Sequence, residues 1–206
     1  VLKHKYDAGS VVPISDGAAY FDGSNDYIDL GDSNNFVTGN NVTLACWFRV
    51  LDNDGVYLIH NQKGSGSSNI ALTMNYTNAS ANAGYIALLT WNGSSHNWTD
   101  YDGNVNDTNE WWHIAATTTA SAQKLYLNGV EVETGSNTFA NAASTHHMTL
   151  GAFNGSTSFL KGNMCNAGVW NAALTQAQIK SIMNKNYAGL TDSEKTNLVS
   201  WWNLSA

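Results

Sequence analysis

Short apolar or alternating runs recur along the whole chain, and clusters of Gly, Asn, Asp and Ser separate one run from the next. Runs of this length between turn residues are typical of strands in a many-stranded sandwich. The pattern predicts twelve strands, at 18–21, 27–30, 42–50, 56–61, 70–76, 85–91, 111–118, 124–127, 130–133, 147–152, 162–170 and 198–204. We therefore expect a single antiparallel β-sandwich.

The composition favours one β domain that spans residues 1–206. A sandwich of this length commonly forms around one core. Charged residues make up only 12% of the chain and Pro13 is its single proline, so Asn, Ser, Thr and Gly must supply most of the polar surface. These residues favour turns over long helices. The sequence begins at Val1 rather than Met, which leaves processing and excision from a longer chain open.

Two segments carry clear structural signals. Four side chains of 42–50 fall on one side of a strand by period-2 geometry and should face the core: Leu44, Cys46, Phe48 and Val50. Asn128-Gly129 stands between two alternating segments and predicts a hairpin, because both residues tolerate the positive φ of a type I′ turn.

Two short helices are expected near the C-terminus. Thr175 with Gln178 forms one candidate capping box, and Thr191 with Glu194 forms a second. Three apolar side chains after the first box share one helical face: Ile179, Ile182 and Met183. A closing strand follows the second helix directly.

The charge of the chain excludes two classes of partner. Its formal net charge is −7, with nine Lys and Arg in total. Nucleic acids and anionic membranes both require clustered cations, so neither is expected. No apolar run approaches the roughly 18 residues that span a bilayer, so membrane insertion is not expected either.

The chain has two cysteines, Cys46 and Cys165. Two cysteines do not make a disulfide framework, and a sandwich of this size does not need one. A buried pair of free thiols and a single bridge both remain possible.

Several segments in sequence order are similar to one known family. They are AYFDGSNDYIDL at 19–30, VTLACWF at 42–48, WWHIA at 111–115 with LYLNGV at 125–130, and FLKGNM at 159–164 with GVWNAALT at 168–175. These segments resemble the opening hairpin, second strand, central hairpin and closing strand with helix of the laminin G-like, concanavalin A-like jelly-roll family. The resemblance implies an antiparallel jelly roll with one or two short helices near the C-terminus.

The resemblance says little about the ligand, since this fold hosts lectins, adhesion modules, domains of glycosidases and virion surface proteins. The sequence departs from the family at Cys165, where other members often carry an acidic residue, so any role of that acid is absent. The ending WWNL at 201–204 also resembles domains on bacteriophage particles.

Residues suited to catalysis have a simpler structural interpretation. Glu131 and Glu133 would lie about 6.5–7 Å apart on one strand face, within reach of a glycosidase pair, but they follow a tight turn and lack a further acid. We expect a solvated strand face there. No histidine lies in a serine-hydrolase or zinc-protease motif; His113 is expected to be structural, and the adjacent His146 and His147 make a poor zinc site.

Calcium is the metal that the sequence favours most. Asp22 and Asp26 offer two carboxylates on a glycine-containing turn, the oxygen ligands that calcium prefers. Asp52 with Asp54 and Asp100 with Asp102 are rival pairs. The alternative is that these acids make Asx-turns and cap hairpins.

The strongest functional signal is the segment 91–102, WNGSSHNWTDYD, which we interpret as a loop or ragged hairpin. Exposed rings stack on sugars, while amides, carboxylates and imidazoles bind hydroxyls. Four residues are the candidate ligand-binding set: Trp91, His96, Trp98 and Tyr101. The alternative is that Trp91 and Trp98 fold into the core.

Three functions follow, in decreasing order of preference. The first is a non-catalytic module that binds carbohydrate or mediates adhesion and is displayed outside the cell or on a virion surface. The second is a structural or decoration protein that packs against neighbouring proteins in an assembly. A glycoside hydrolase ranks last.

Overall fold

The computed structural model describes residues 12–52, 54–64, 67–75, 84–105, 109–142 and 145–205. The strands are β1 (Ala19–Asp22), β2 (Ile28–Asp32), β3 (Val42–Val50), β4 (Val56–Gly64), β5 (Ser67–Met74), β6 (Gly84–Trp91), β7 (His96–Val105), β8 (Trp112–Thr118), β9 (Gln123–Leu127), β10 (Val130–Gly135), β11 (His147–Leu150), β12 (Lys161–Trp170) and β13 (Leu198–Trp202). The helices are α1 (Gln176–Ile182) and α2 (Asp192–Lys195).

The strands form two antiparallel sheets, which confirms the predicted sandwich. Sheet A has the order β1-β12-β3-β8-β9-β10, with β13 beside β12, and sheet B has the order β2-β11-β4-β5-β6-β7. One hydrophobic core lies between them. Both sheets also have an outward face, and each outward face is only partly covered.

The predicted opening hairpin at 19–30 is wrong. β1 pairs with β12 in sheet A, whereas β2 pairs with β11 in sheet B. The turn between them therefore carries the chain from one sheet to the other. Turn residues at 22–26 signalled the reversal correctly, but sequence spacing does not tell which sheet each flanking strand joins.

β3 is buried on both faces. Leu44, Cys46 and Phe48 face the core as predicted, while Ala45 and Trp47 are equally buried on the outward side. The C-terminal segment covers that side, and the Trp47 indole donates to the Met183 carbonyl over 2.9 Å. A strand with so few polar residues can only lie in the middle of a covered sheet.

Both capping boxes are present, as predicted at Thr175 and Thr191. Glu194, which closes the second box, also accepts two 2.8 Å hydrogen bonds from the Lys185 ammonium. Its backbone carbonyl accepts a 2.7 Å bond from the Trp170 indole. The second helix is thereby fixed to the segment after α1 and to sheet A.

The turn at Asn128-Gly129 adopts the left-handed conformation at both residues, with φ of 48° and 75°, as predicted. A side chain at Gly129 would also collide with α1 and its C-cap, since a Cβ there would lie 2.8 Å from Met183 Sδ and 2.9 Å from Lys180 Cγ. The hairpin tip and the helix pack against each other at this glycine.

The two cysteines are free and buried, which overturns the disulfide alternative. Cys46 faces the core between the sheets, and Cys165 lies on the outward side of sheet A beside Trp47. Burial raises the pKa of both thiols, that of Cys165 to about 12. Neither is a thiolate at neutral pH.

The largest departure from the predicted strands is β7, which lies in the segment 91–102 that was predicted to be a loop or a ragged hairpin; the structure has the hairpin. Its ten residues pair along their length with β6. Polar residues such as Asn97 and Asp100 hide the alternation, because this strand lies at the edge of sheet B and does not need an apolar row on both faces. The end of the predicted strand at 70–76 lies outside the described residues at Tyr76.

Asn166 joins the two ends of the described chain. Its side-chain nitrogen donates to the Ile14 carbonyl over 2.9 Å, and its backbone N–H donates to the Asn203 carbonyl over 3.3 Å. β1 pairs with the first half of β12 and β13 with the second half.

Candidate ligand-binding face

The pairing of β6 with β7 decides which candidate side chains lie together. Trp91 stands opposite His96, and Leu89 stands opposite Trp98. Residues two apart on a strand share a face, so Trp91, His96 and Trp98 all project from the outward face of sheet B. The structure thus brings three of the four candidates onto one surface, which we call the sheet B face.

Tyr101 does not belong to this surface. It stands opposite the core residue Ile86 and packs against the cluster between the sheets. The expectation that it joins the other three fails because an odd spacing from Trp98 reverses the side of a strand. Of the two predicted forms of this segment, a loop and a ragged hairpin, only the hairpin imposes this alternation.

The half-buried Trp98 rests on a small apolar cluster outside the core. Its buried members are Tyr57, Ala71 and Leu89, and Phe153 packs against them from a neighbouring loop. The rings of Tyr57 and Phe153 lie 4.9 Å apart between centroids. Trp98 is therefore neither fully core nor freely mobile, because one side of its ring is supported.

His60 holds this cluster together and was not singled out by the sequence. Its ring lies 5.2 Å from Tyr57 and 4.7 Å from Phe153. Its Nδ1 accepts the Asn154 backbone N–H, so Nε2 carries the proton and donates to Ser68 Oγ over 3.0 Å. Burial lowers the pKa of His60 to about 3, so the ring is neutral. The position of His60 in this cluster follows only from the pairing of the strands, which the sequence around it does not reveal.

The Trp91 ring contacts the ammonium group of Lys63 and the imidazole of His96. The Lys63 ammonium lies 3.7 Å from the centroid of its ring, a cation–π contact. The His96 ring meets it nearly edge-on at 5.2 Å, and His96 Nε2 donates to the Ser68 carbonyl over 2.9 Å. Trp91 thus lies at one end of the sheet B face, and the half-buried ring of Trp98 lies beside it.

The calcium candidates form a self-contained turn. One Asp22 oxygen accepts the backbone N–H of Ser24 at 2.7 Å and of Asn25 at 3.4 Å, and Asp26 accepts the Asp22 N–H at 3.0 Å. This is the Asx-turn alternative. The described residues bring no third carboxylate to the turn, and in no other place do three His, Cys, Asp or Glu side chains of the described chain converge. Two carboxylates that already serve the backbone do not fit the six to eight oxygens that calcium takes.

Glu131 and Glu133 do not act as a pair. The strand is irregular between them, which breaks the shared face expected from their spacing. Glu131 accepts bonds from Lys124 and Thr134, which lower its pKa. Glu133 is exposed and accepts the Thr134 N–H. These contacts are those of a solvated strand end.

The remaining histidines are structural or lie at the surface. His113 is only 2% exposed, contacts Trp47 edge-on at 5.4 Å and has its pKa lowered to about 3 by burial. His147 is exposed and pairs with Asp29 over 2.6 Å. The structural role predicted for His113 agrees with this position.

A family model of the laminin G type, described as the concanavalin A-like lectin/glucanases superfamily, matches residues 22–180. The chain belongs to this superfamily. No curated protein matches the sequence. Several solved structures share the fold of this chain, although each is less than 25% identical to it in sequence. A protein from Bacteroides ovatus, described as a "putative carbohydrate binding protein", has a TM-score of 0.68 at 18% identity, with 95% of this chain and 53% of that chain covered.

Two further similar structures are complexes with a sugar. Domain 4 of an extracellular GH43 arabinanase from Geobacillus stearothermophilus, in complex with arabinotriose, has a TM-score of 0.60 at 24% identity, with 81% and 76% covered. The CBM40 of a Ruminococcus gnavus sialidase, bound to α2,3 sialyllactose, has a TM-score of 0.59 at 13% identity, with 82% and 100% covered. The similarity to these structures shows that this chain has a fold that also occurs in binding modules.

Proposed function

We propose that the chain is a non-catalytic carbohydrate-binding module and that its ligand lies on the sheet B face. The observation that carries the proposal is the pairing of β6 with β7, which sets Trp98 and His96 side by side on one outward surface. The ring of Trp98 offers a stacking platform that its supporting cluster holds in place.

The chemistry around that platform suits a sugar. Asp100 follows Trp98 by two residues on β7 and shares its face, so a carboxylate and an imidazole flank the ring. Sugars present apolar C–H faces to rings and hydroxyls to such polar groups. The binding of arabinotriose and sialyllactose by proteins of the same fold supports this class of ligand.

A glycan array followed by titration tests the proposal. Trp98→Ala should weaken binding to any retained glycan by at least about tenfold, which is about 1.4 kcal/mol, while Trp98→Phe should keep most of the affinity. Tyr187→Ala is the matched control, because Tyr187 is an exposed ring on another surface.

Two results would contradict the proposal: an array without any specific signal from a folded protein, or equal affinity in the wild type and Trp98→Ala. Melting curves of all variants separate a lost contact from a lost fold.

A second function, packing in an assembly such as a virus particle, is favoured by exposed apolar side chains. Val12 and Ile14 precede β1 and are 61% and 54% exposed. Sedimentation of the wild type and of a Val12→Ser, Ile14→Ser double variant tests it: self-association that this variant abolishes would support packing. A monomer at all concentrations would contradict packing against copies of itself.

Display outside the cell or on a virion is part of the first proposal. No helix in the described part of the chain is long and apolar enough to cross a membrane. Secretion of the parent protein, followed in its native host by fractionation, tests the location.

A further inference from the structure

The single arginine of the chain lies on the outward face of sheet A, on the opposite side of the sandwich from the sheet B face. Arg49 follows Trp47 by two residues on β3, just beyond the part of the sheet that Met183 covers. Its guanidinium carbon lies 5.5 Å from the centroid of the Trp111 ring.

Arg49 is held by a neutral group. Its Nε and Nη2 donate to Asn163 Oδ1 over 3.3 and 2.7 Å. Of the five N–H groups of a guanidinium, these bonds leave one proton on Nη2 and both protons on Nη1 for another acceptor. The amide and the indole fix the direction of the side chain without neutralising its charge.

Among the described residues Arg49 has no acidic partner, a property that it shares with Lys63, Lys180 and Lys195. Acids outnumber Lys and Arg by 16 to 9, yet the ion pairs among the described residues involve Lys124, Lys161, Lys185 and His147 and leave Arg49 out. A buried or half-buried arginine is commonly paired with a carboxylate. Here the charge is oriented and uncompensated within the described chain, as in a site for an anion.

Arg49 is one end of a row that crosses three strands. Tyr20 stands opposite Asn163, and Asn163 stands opposite Arg49. Tyr20 is 58% exposed. Two strand spacings separate Tyr20 from Arg49, about 9 to 10 Å along the row. Lys161 lies two residues before Asn163, on the same face, and contacts Asp52 only at 4.0 Å.

We infer that this row is a binding site for an oligosaccharide that carries a carboxylate. One sugar unit stacks on the Tyr20 ring, and the carboxylate of a neighbouring unit accepts the two Nη1 protons of Arg49. Asn163 and Trp111 are positioning residues, because they set the guanidinium and leave the contact with the ligand to Arg49.

The charge of the whole chain favours a saccharide over an acidic protein. A net charge of −7 repels polyanions at long range, and an extended acidic protein surface carries more charges than a short saccharide. Asp22 stands opposite Lys161, so Arg49 supplies most of the positive charge of the row. A saccharide also gains a stacking contact from Tyr20.

Calorimetric titration with trigalacturonic acid, with its methyl ester as the neutral control, tests the inference. The acid should bind at least about tenfold more tightly than the ester, since hydrogen bonds to charged groups are worth more than neutral ones. Arg49→Gln should remove this preference, Tyr20→Ala should weaken binding, and Tyr20→Phe should keep it.

Asn163→Asp is the most informative variant. It supplies Arg49 with a carboxylate partner in almost the same volume and loses only the long bond of 3.4 Å from Asn163 Nδ2 to the Ala19 carbonyl. Binding of the acid should fall at least about tenfold, and a melting curve checks that the fold is kept. Trp98→Ala should leave binding of the acid unchanged, which separates this site from the proposed function.

Four results would overturn the inference. They are equal affinity for acid and ester, wild-type affinity in Arg49→Gln, wild-type affinity in a folded Asn163→Asp, and binding of polyglutamate as tight as that of the saccharide, which would indicate an acidic-peptide surface.

Discussion

Single residues set the pH range in which this sandwich is stable. His60 and His113 are buried in the neutral form, and burial lowers the pKa of each from 6.5 to about 3. The unfolded chain takes up these protons near pH 6.5, whereas the folded chain does not. The stabilising effect is therefore complete above pH 6.5 and is lost as the pH falls towards 3.

We expect the free energy of unfolding to fall by about 1.4 kcal/mol per pH unit for each of the two histidines below pH 6.5. Urea titrations between pH 7.5 and pH 5 measure this slope. This pH range lies above the range in which the carboxylates titrate. His113→Gln should halve the slope, and a flat profile for the wild type would show that both rings take up protons in the folded chain.

Glu194 is a buried carboxylate whose ion pair links the C-terminal helices. Burial alone would raise its pKa, but bonds from Lys185, Ser181 and Thr191 outweigh burial and lower the pKa to about 2. Glu194→Gln leaves the Lys185 ammonium without its partner, so it should destabilise the fold by about 2 to 4 kcal/mol in urea unfolding. Glu133→Gln, at an exposed site, should have no measurable effect; similar losses in both variants would refute this role for Glu194.

At the scale of elements, the hairpin tip at 128–129 depends on a glycine for two reasons. Gly129 has a φ of 75° and no room for a Cβ beside Lys180 and Met183. Gly129→Ala should lower the free energy of unfolding by about 1 to 3 kcal/mol. Gly39→Ala is the control, since nothing lies within 4 Å of a Cβ there and its effect should be small. Equal effects of the two changes would contradict this account.

The turn from Asp22 to Asp26 is held by its own hydrogen bonds. We therefore expect the melting temperature to be the same in excess calcium and in excess EDTA. A melting temperature that falls in EDTA and recovers with calcium, but not with magnesium, would show that an ion is bound. Asp22→Asn, which keeps the acceptor oxygen of the turn, would then abolish the calcium response.

The elements that the sequence predicted well are those with a local cause. The turn at Asn128 and the caps at Thr175 and Thr191 depend on residues a few positions apart, and all three are present. β7 was missed because its stability comes from pairing with β6, which polar side chains do not reveal. β1 and β2 were paired wrongly because sheet membership is a long-range property.

At the scale of the whole molecule, the sandwich has two outward faces with different chemistry. The sheet B face gathers Trp91, His96 and Trp98, which a local segment already indicated. Tyr101 was assigned to the same group because it is close in sequence, without a strand register that would have shown which face it lies on. His60 and Arg49 gave no local signal, since their roles depend on Ser68, Asn154 and Asn163 from other strands or from a distant loop.

The position of Asn166 between Ile14 and Asn203 bears on how this fold could be joined to other chains. The two ends of the described chain emerge as neighbours along β12. A domain whose ends are adjacent is suited to insertion into a surface loop of another protein, as well as to attachment at its terminus.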